Sequence, residues 1–403
     1  MRKFHYEARD GSTDKVVKAF VQAESERDAA KLLIGQNFTP LEITEVDENG
    51  GMFEKFKHRI TTKDKVVFTR QLATLIAAGL PLSQSLRSLV DQTQNPRMKG
   101  VVQEIIASVE GGSSLHDSFA KHPAVFNQLF LALVASGEVS GTLDEALQSV
   151  ANQQEKDAAI MSRIRGALTY PVIVLFVIFG VLIFMLVTVV PQVEKLYKDL
   201  HQTLPFITQA IVSVSGFVTQ YWWAVLLALA FVLSGAIKYF RSEGGKQTLD
   251  AIKLNVPLFK GLFRRLYMAR FTRTGETLLR AGVSMLDMLA IASTAVNNRL
   301  ISAEIDAAAE KVKGGKDLST SLAAGEYFPQ LVPQMIGIGE KSGRIDEMLG
   351  KTAKIYEDEL DEEIRTISTA IEPILMVVLA IVAGGMVAAI LLPIYSLVNT
   401  IRI

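Results

Sequence analysis

The stretch from Phe68 to Pro191 occurs twice in this chain, with its features in the same order. Phe68-Thr-Arg-Gln-Leu-Ala-Thr-Leu-Ile-Ala-Ala-Gly79 returns as Phe271-Thr-Arg-Thr-Gly-Glu-Thr-Leu-Leu-Arg-Ala-Gly282, an offset of 271 − 68 = 203, and Gly111-Gly112 returns as Gly314-Gly315. After a one-residue slip, Gly137-Glu138-Val139-Ser140-Gly141 returns as Gly339-Glu340-Lys341-Ser342-Gly343, at 339 − 137 = 202. Arg163, Pro171 and Pro191 return at that second offset as Arg365, Pro373 and Pro393. Solenoid units repeat every 20–50 residues or so, far less than this. The period marks a duplicated domain, so whatever one copy folds into, the other must fold into as well. Transporters also contain duplicated membrane units, and duplication alone does not choose a function.

The second constraint is where the apolar residues lie. Hydrophobic residues make up 49% of the 403 and charged residues 21%, so the apolar excess must be concentrated. Gly166 to Val193, Phe206 to Ile237 and Pro373 to Thr400 contain no Asp, Glu, Lys or Arg. Each is longer than the ~20 residues that carry a helix across a hydrocarbon core about 30 Å thick. A lone segment in lipid must satisfy its own backbone, which predicts transmembrane helices. Gln209, Ser213, Ser215, Thr219 and Gln220 interrupt the first half of the middle run. Its span is therefore placed at 221–237, with an interfacial or packed helix before it.

In chain order, residues 1–50 read as a small α+β module. Lys3-Phe-His-Tyr-Glu-Ala and Val16-Val-Lys-Ala-Phe-Val21 alternate as strands around an Asp10-Gly11 turn. Ser25 opens a helix that Gly35 ends, and Leu41 to Val46 adds a third strand. A linker at 51–61 follows. Residues 62–165 are helical throughout: Thr62 to Ala78, a helix after Pro81, Pro96 to Glu110, a capping box at Ser114-x-x-Asp117, Phe126 to Ser136, and Thr142 to Leu168. The first span at 166–193 follows without a break signal, so the last soluble helix is expected to run through Pro171 into the membrane. An external loop and interfacial helix cover 194–220, and the second span 221–237. A basic connector and the second helical domain cover 238–372, and the third span 373–400.

Lys and Arg near the spans set the orientation. Lys156, Arg163 and Arg165 precede the first span, and Lys238, Arg241, Lys246, Lys253, Lys260, Arg264 and Arg265 follow the second. Between those spans the loop carries only Lys195 and Lys198. The N-terminus and both helical domains are expected on the cytoplasmic side, with the C-terminus and Trp222-Trp223 on the other. The first residues lack the apolar core of a signal peptide, so insertion is expected to use the first internal span.

A net charge of zero gives no ground for nucleic-acid binding, and the absence of cysteine suits a bulk held in a reducing cytoplasm. His5, His58, His116, His122 and His201 have no metal-ligand spacing. Gly350-Lys351-Thr352 resembles the end of a phosphate loop, but Ile345 stands where the earlier glycine is required. There is no Gly-x-Ser-x-Gly elbow and no cysteine nucleophile. Hence no catalytic, cofactor or metal site is expected. The uncharged spans also argue against transport, which usually retains a polar intramembrane site.

The shared motif is the most informative local feature: Gly137, Glu138, Ser140, Gly141 and Asp144 against Gly339, Glu340, Ser342, Gly343 and Asp346. It reads as a tight turn between helices, with the aspartate at the positive end of the next helix. Two readings stand for the paired glutamates: a carboxylate beside a helix start or an arginine, and a partner contact. Glu357, Asp358, Glu359, Asp361, Glu362 and Glu363 read as a solvated helix face, with a divalent cation or basic partner as the alternative. Ala380, Gly384 and Ala388 place small residues on one face of the third span, for packing within the chain or between subunits.

Through Phe68-Thr-Arg-Gln-Leu, Gly111-Gly112, the two Gly-Glu-x-Ser-Gly motifs, Tyr170-Pro171 and Val190-Pro191-Gln192, the whole chain resembles the inner-membrane platform family of type IV pilus assembly and type II secretion. Val190-Pro-Gln-Val193 followed by Leu204-Pro205-Phe-Ile-Thr looks more like the pilus branch. The resemblance implies a mainly α polytopic membrane protein: two duplicated cytoplasmic six-helix bundles, three transmembrane helices and the small N-terminal module. It implies a bacterial cytoplasmic membrane location and no enzymatic activity. It further implies coupling of a hexameric assembly ATPase to pilin or pseudopilin polymerisation, with other inner-membrane assembly proteins, membrane lipid and further copies of the chain as partners. The motif residues match the family's signature. Glu372 stands before Pro373 where the first copy has Tyr170, a departure from equivalence where the two copies reach the membrane. The rival classes are a duplicated transporter and a membrane-bound signalling scaffold.

Overall fold

Strand alternation at the start of the chain builds a three-stranded antiparallel sheet from β1 (Arg2–Asp10), β2 (Val16–Ala23) and β3 (Phe38–Val46), ordered β2-β1-β3. Phe4 lies opposite Val21 on one side and Glu45 on the other, and the β1–β3 register is irregular between Glu7 and Ala8. Helix α1 (Glu26–Gly35) packs on this sheet, and Ala8, Ala23 and Leu33 are buried. The computed structural model describes residues 2–10, 16–23, 26–35, 38–46, 59–199 and 206–401. Gly11, Ser25, most of the expected linker and residues 200–205 lie outside them.

The first copy of the duplicated unit comprises α2 (Thr62–Ala77), α3 (Leu82–Gln92), α4 (Pro96–Glu110), α5 (Leu115–Ala120), α6 (Gln128–Ser140) and α7 (Leu143–Phe184). Capping residues explain where several of these helices start. Thr61 and Asp64 form a reciprocal capping box at α2, Asn95 accepts the Arg97 and Met98 amides before α4, and Ser114 accepts the Asp117 amide at α5. Each such cap satisfies amides that the first turn leaves without partners. The second copy repeats the six as α12 (Pro257–Arg280), α13 (Met285–Val296), α14 (Arg299–Lys313), α15 (Leu318–Ala323), α16 (Leu331–Ser342) and α17 (Ile345–Ile401).

Phe68, Phe119, Phe126 and Phe130 fill the centre of the first unit, with ring centroids 4.5 Å apart for Phe119 and Phe126 and 4.8 Å for Phe119 and Phe130. In the second unit Phe271 meets Phe328 edge-on at 5.1 Å, and Leu322 and Val332 complete the core. Burying each such side chain contributes roughly 1.5–3 kcal/mol. The two cores belong to one contiguous buried cluster.

The sixth helix of each unit does not stop where the soluble packing does. Helix α7 spans 42 residues with Pro171 inside it, and α17 spans 57 residues through Pro373 and Pro393. Proline is tolerated in membrane helices where neighbours and side chains meet the freed backbone groups. Among the described residues, three helical stretches are long and apolar enough to cross a membrane: Leu143–Asp199, Trp222–Arg241 and Ile345–Ala388. Their apolar side chains point outward, Phe176 and Phe231 among the most exposed.

The structure corrects the connection after the first span. The expected loop from 194 is helical up to Asp199: after a π turn at Met185–Val189 the chain continues as α8 (Val190–Asp199). Val190 and Tyr197 are buried there, and Glu194 pairs with Lys198 one turn on at 2.5 Å. Next, α9 (Phe206–Gln220) and α10 (Trp222–Arg241) are separate helices, broken at Tyr221. The basic connector is itself a helix, α11 (Glu243–Asn255), because Ser242 caps it through the Gly245 amide.

Candidate functional site

The signature motif is not a turn but the last turn of a helix, closed by one left-handed residue. Gly137, Glu138 and Ser140 lie in α6, and Gly141 ends it at φ 75°. Likewise Gly339, Glu340 and Ser342 lie in α16, and Gly343 ends it at φ 68°. Only the closing glycine needs its conformational freedom. Gly137 and Gly339 are there for space. A Cβ on Gly137 would sit 2.5 Å from the Ala146 Cβ, and one on Gly339 would sit 2.7 Å from the Ile345 Cα. These two glycines let the fifth and sixth helices touch. Asp144 and Asp346 occupy the first turns of α7 and α17, where a carboxylate favours the positive helix end. The Ser140 and Ser342 hydroxyls donate to the carbonyls of Ser136 and Ile338 within their own helices.

Glu138 reaches sideways to the short fourth helix of its unit. Its carboxylate accepts the Leu115 amide at 2.7 Å and the His116 amide at 3.1 Å. In the second copy Glu340 accepts the Leu318 amide at 2.6 Å, the Ser319 amide at 3.2 Å and the Ser319 hydroxyl. Of the two readings left open for these glutamates, the structure places both beside a helix start. A helix of six residues has little cooperativity of its own, and a carboxylate at its first amides holds it in register. Glu340→Ala is expected to weaken the α15 amides by about 1 kcal/mol, the usual worth of a cap. Hydrogen exchange at Leu318 and Ser319 would then speed several-fold while α14 stays protected. Unchanged exchange there would refute the capping role.

A paired feature not singled out from the sequence lies beside this one. Arg70 of the Phe-Thr-Arg motif in α2 holds Glu155 of α7 by two bonds, at 2.5 and 2.6 Å, and also reaches Gln148 and Asn152. Arg273 in α12 holds Glu357 of α17 in the same bidentate way, both at 2.7 Å. The signal was present in the sequence: Glu155 and Glu357 are offset by 357 − 155 = 202, as the arginines are by 273 − 70 = 203. The Arg70 hydrogen bonds hold the Glu155 carboxyl below its ordinary range. Burial works against the charged Arg273, yet the Glu357 and Glu276 carboxylates together outweigh it and leave the guanidinium raised.

The acidic run is therefore not a freely solvated face. Besides Arg273, Glu357 faces Lys156 at 3.6 Å; Glu359 and Glu363 take Arg265 at 3.0 and 2.8 Å; and Asp361 pairs with Arg163. These four carboxylates turn toward α7 and α12, which flank this part of α17 and carry the cations, while Asp358 and Glu362 stay exposed. Among the described residues no group of three or more His, Cys, Asp or Glu is placed to hold a metal ion. Lys156 and Arg163 belong to the first unit, so these pairs form a seam between the two copies. Below them Ile160, Met161 and Ile164 of α7 pack against Leu262, Leu266, Leu360, Ile364 and Ile367. Further up, the Ser136 hydroxyl donates to the Ala281 carbonyl, again from the first copy to the second.

Asp157 of α7 lies in this seam. Burial pushes its carboxyl up, against the pull of Arg270 and with the repulsion of Glu357. A carboxyl raised in the folded state binds its proton more tightly there than in the unfolded chain. Its contribution is thus fully present below the unfolded pKa and is lost as pH rises through the folded one. Asp157→Asn is expected to raise the melting temperature at neutral and alkaline pH and to leave it little changed in acid. An equal shift at every pH would contradict this.

Ala380 and Gly384 are exposed, and nothing lies within 4 Å of a Cβ built on Gly384, so this stripe is open in the single chain.

The family profile described as "Type II secretion system (T2SS), protein F" matches residues 68–191 and 271–393, once on each unit. The one described as "Type II secretion system protein F, N-terminal domain" matches residues 1–44. The type IV pilus assembly protein PilC of Myxococcus xanthus is 40% identical over 340 residues, 84% of this chain and 82% of its own length. PilC of Thermus thermophilus is 35% identical over 412 residues, covering 100% of both chains. The type II secretion system protein F of Xanthomonas campestris is 36% identical over 406 residues, again 100% of both. Neither rival class, transporter or signalling scaffold, finds support among these matches. With its repeat, its N-terminal module and its apolar helices all accounted for, the chain belongs to the type II secretion system protein F family, whose relatives also serve in type IV pilus assembly.

Proposed function

We propose that this protein is the platform of a type IV pilus or type II secretion machine, in a bacterial inner membrane. A cytoplasmic hexameric ATPase acts on its soluble units, and pilin or pseudopilin subunits assemble against its spans. The observation that carries the reading is the unbroken course of α7 and α17 from soluble core to membrane. A rigid helix continuous through both environments transmits displacement; a flexible linker would absorb it. The chain supplies no energy in this scheme, and no chemical step is assigned to it.

In this reading the units at 62–165 and 238–372 face the cytoplasm with the N-terminus, and the C-terminus lies outside. The face of Ala380, Gly384 and Ala388, open at the first two, takes another apolar helix or a second copy. Val139, 91% exposed within the first signature motif, and Ile338, 54% exposed in α16, are the positions at which to place a photocrosslinker. In cells the expected capture from both is a hexameric assembly ATPase, and deletion of the gene is expected to abolish filaments or secretion. Filaments and secretion that persist without the protein, with no ATPase captured by well-expressed variants, would end this reading.

A further inference from the structure

The first span is not helical in one register throughout. At Met185–Val189 the backbone widens to a π turn, and the Val190 amide donates five residues back to the Met185 carbonyl. Pro191 explains the widening: its ring clashes with the carbonyl four residues earlier in an α-helix, and it has no amide to donate. Continuing the π register, the next donor owed to the Leu186 carbonyl is the amide of residue 191, which proline lacks. Leu186 is thereby deprived of a partner from its own helix. The structure supplies one from elsewhere. The Ser215 hydroxyl of α9 donates to the Leu186 carbonyl, and Ser215 is 2% exposed.

The duplicate shows that the proline alone does not produce this arrangement. Pro393 stands at the equivalent place, yet α17 is α-helical on either side of it, and Ala388 occupies the position of the carbonyl that Ser215 meets. Among the described residues, a hydroxyl spent on one carbonyl from a helix outside the duplicated stretch is a feature of the first span. Helix α9 also packs against α8 and α17, so any movement at the π turn is felt by the third span.

We propose that Met185–Val189 is a conformational joint in the first span, latched by Ser215, at which α8 and α9 reorient against α7. A π turn holds one residue more than the α-helix needs and can rearrange without breaking the helix on either side. With the latch closed, α7 and α8 move as one body. With it open, the Leu186 carbonyl is unpaired and the segment beyond the joint is free to swing. The soluble units would then turn without dragging α8 and α9.

The test uses the full chain in lipid nanodiscs. The sequence has no cysteine, so spin labels go only where they are introduced. One pair, Thr169→Cys with Leu196→Cys, brackets the joint; a second, Thr169→Cys with Ile183→Cys, lies wholly within α7. Ser215→Ala is expected to broaden the first distance distribution, raising the minor conformer about fivefold on loss of one hydrogen bond. The second pair should stay narrow, which shows that the span remains folded. Ser215→Thr should keep the narrow distribution. The deciding variant is Ser215→Ala with Pro191→Ala, because alanine restores the amide that Leu186 lacks, and it should return the first pair to one narrow peak. A Ser215→Ala distribution as narrow as that of the parent would overturn the proposal. So would a double variant as broad as Ser215→Ala, since Ser215 would then only pack α9.

Discussion

Gly339→Leu is expected to destroy the native packing of the second unit. The new Cβ would lie 2.7 Å from the Ile345 Cα and 3.2 Å from the Arg344 carbonyl, and both are backbone that no side-chain rotation moves away. Helices α16 and α17 would have to separate. Overpacking of this kind costs typically 1–3 kcal/mol and more where backbone must shift. The gain from replacing a helical glycine, about 1 kcal/mol, does not offset it. Domains are stable by only about 5–15 kcal/mol, so a loss of some 3 kcal/mol or more is a large share. The check is thermal melting and limited proteolysis of the full chain in nanodiscs. Gly343→Ala is the control: it forces a side chain to φ 68° without any contact, at about 1–2 kcal/mol. Gly339→Leu melting no lower than Gly343→Ala would show that the close approach of the helices is not what the first glycine serves.

Arg273→Met is the second large effect. The Arg273 side chain is 14% exposed, that of Glu357 21% and that of Glu276 20%, so removing the guanidinium strands two carboxylates that water reaches poorly. Breaking a buried pair from one side costs about 3–5 kcal/mol, and the remaining Lys156 contact brings the expectation to the lower end. The equivalent Arg70→Met should cost about 1 kcal/mol or less, because Arg70 and Glu155 are 30% and 43% exposed and solvent screens them. Adding Glu357→Gln to Arg273→Met should restore part of the loss, since the Glu357 charge is then gone while Glu276, the other partner of Arg273, still lacks its cation. Equal penalties at the two arginines would mean that burial does not govern these pairs.

The sequence told its architecture through features that repeat. The offset copies, the uncharged runs and the absence of a break at Pro171 announced two units whose last helices enter the membrane. Turn chemistry was also legible, as at Ser114, because a cap acts on amides two or three residues away. What was not legible depends on which helices become neighbours. Glu138 looked like part of a turn since its acceptor role requires α5 to lie alongside α6, a contact 23 residues back in the chain. The acidic run looked solvated because its cations sit on α7 and α12, far away in sequence. The π turn needed Ser215, which no local pattern connects to Leu186.

The seam between the copies also speaks to descent. In the second unit, Leu262, Leu266, Ile364 and Ile367 are sealed by side chains of the first copy's last helix. One half is thus the occupant and the other the seat, and the two are no longer interchangeable. A forebear with a single copy would have carried that greasy seat uncovered, unless a sister molecule lent its helix to fill it. With both copies in one chain, that seat is covered without a second molecule.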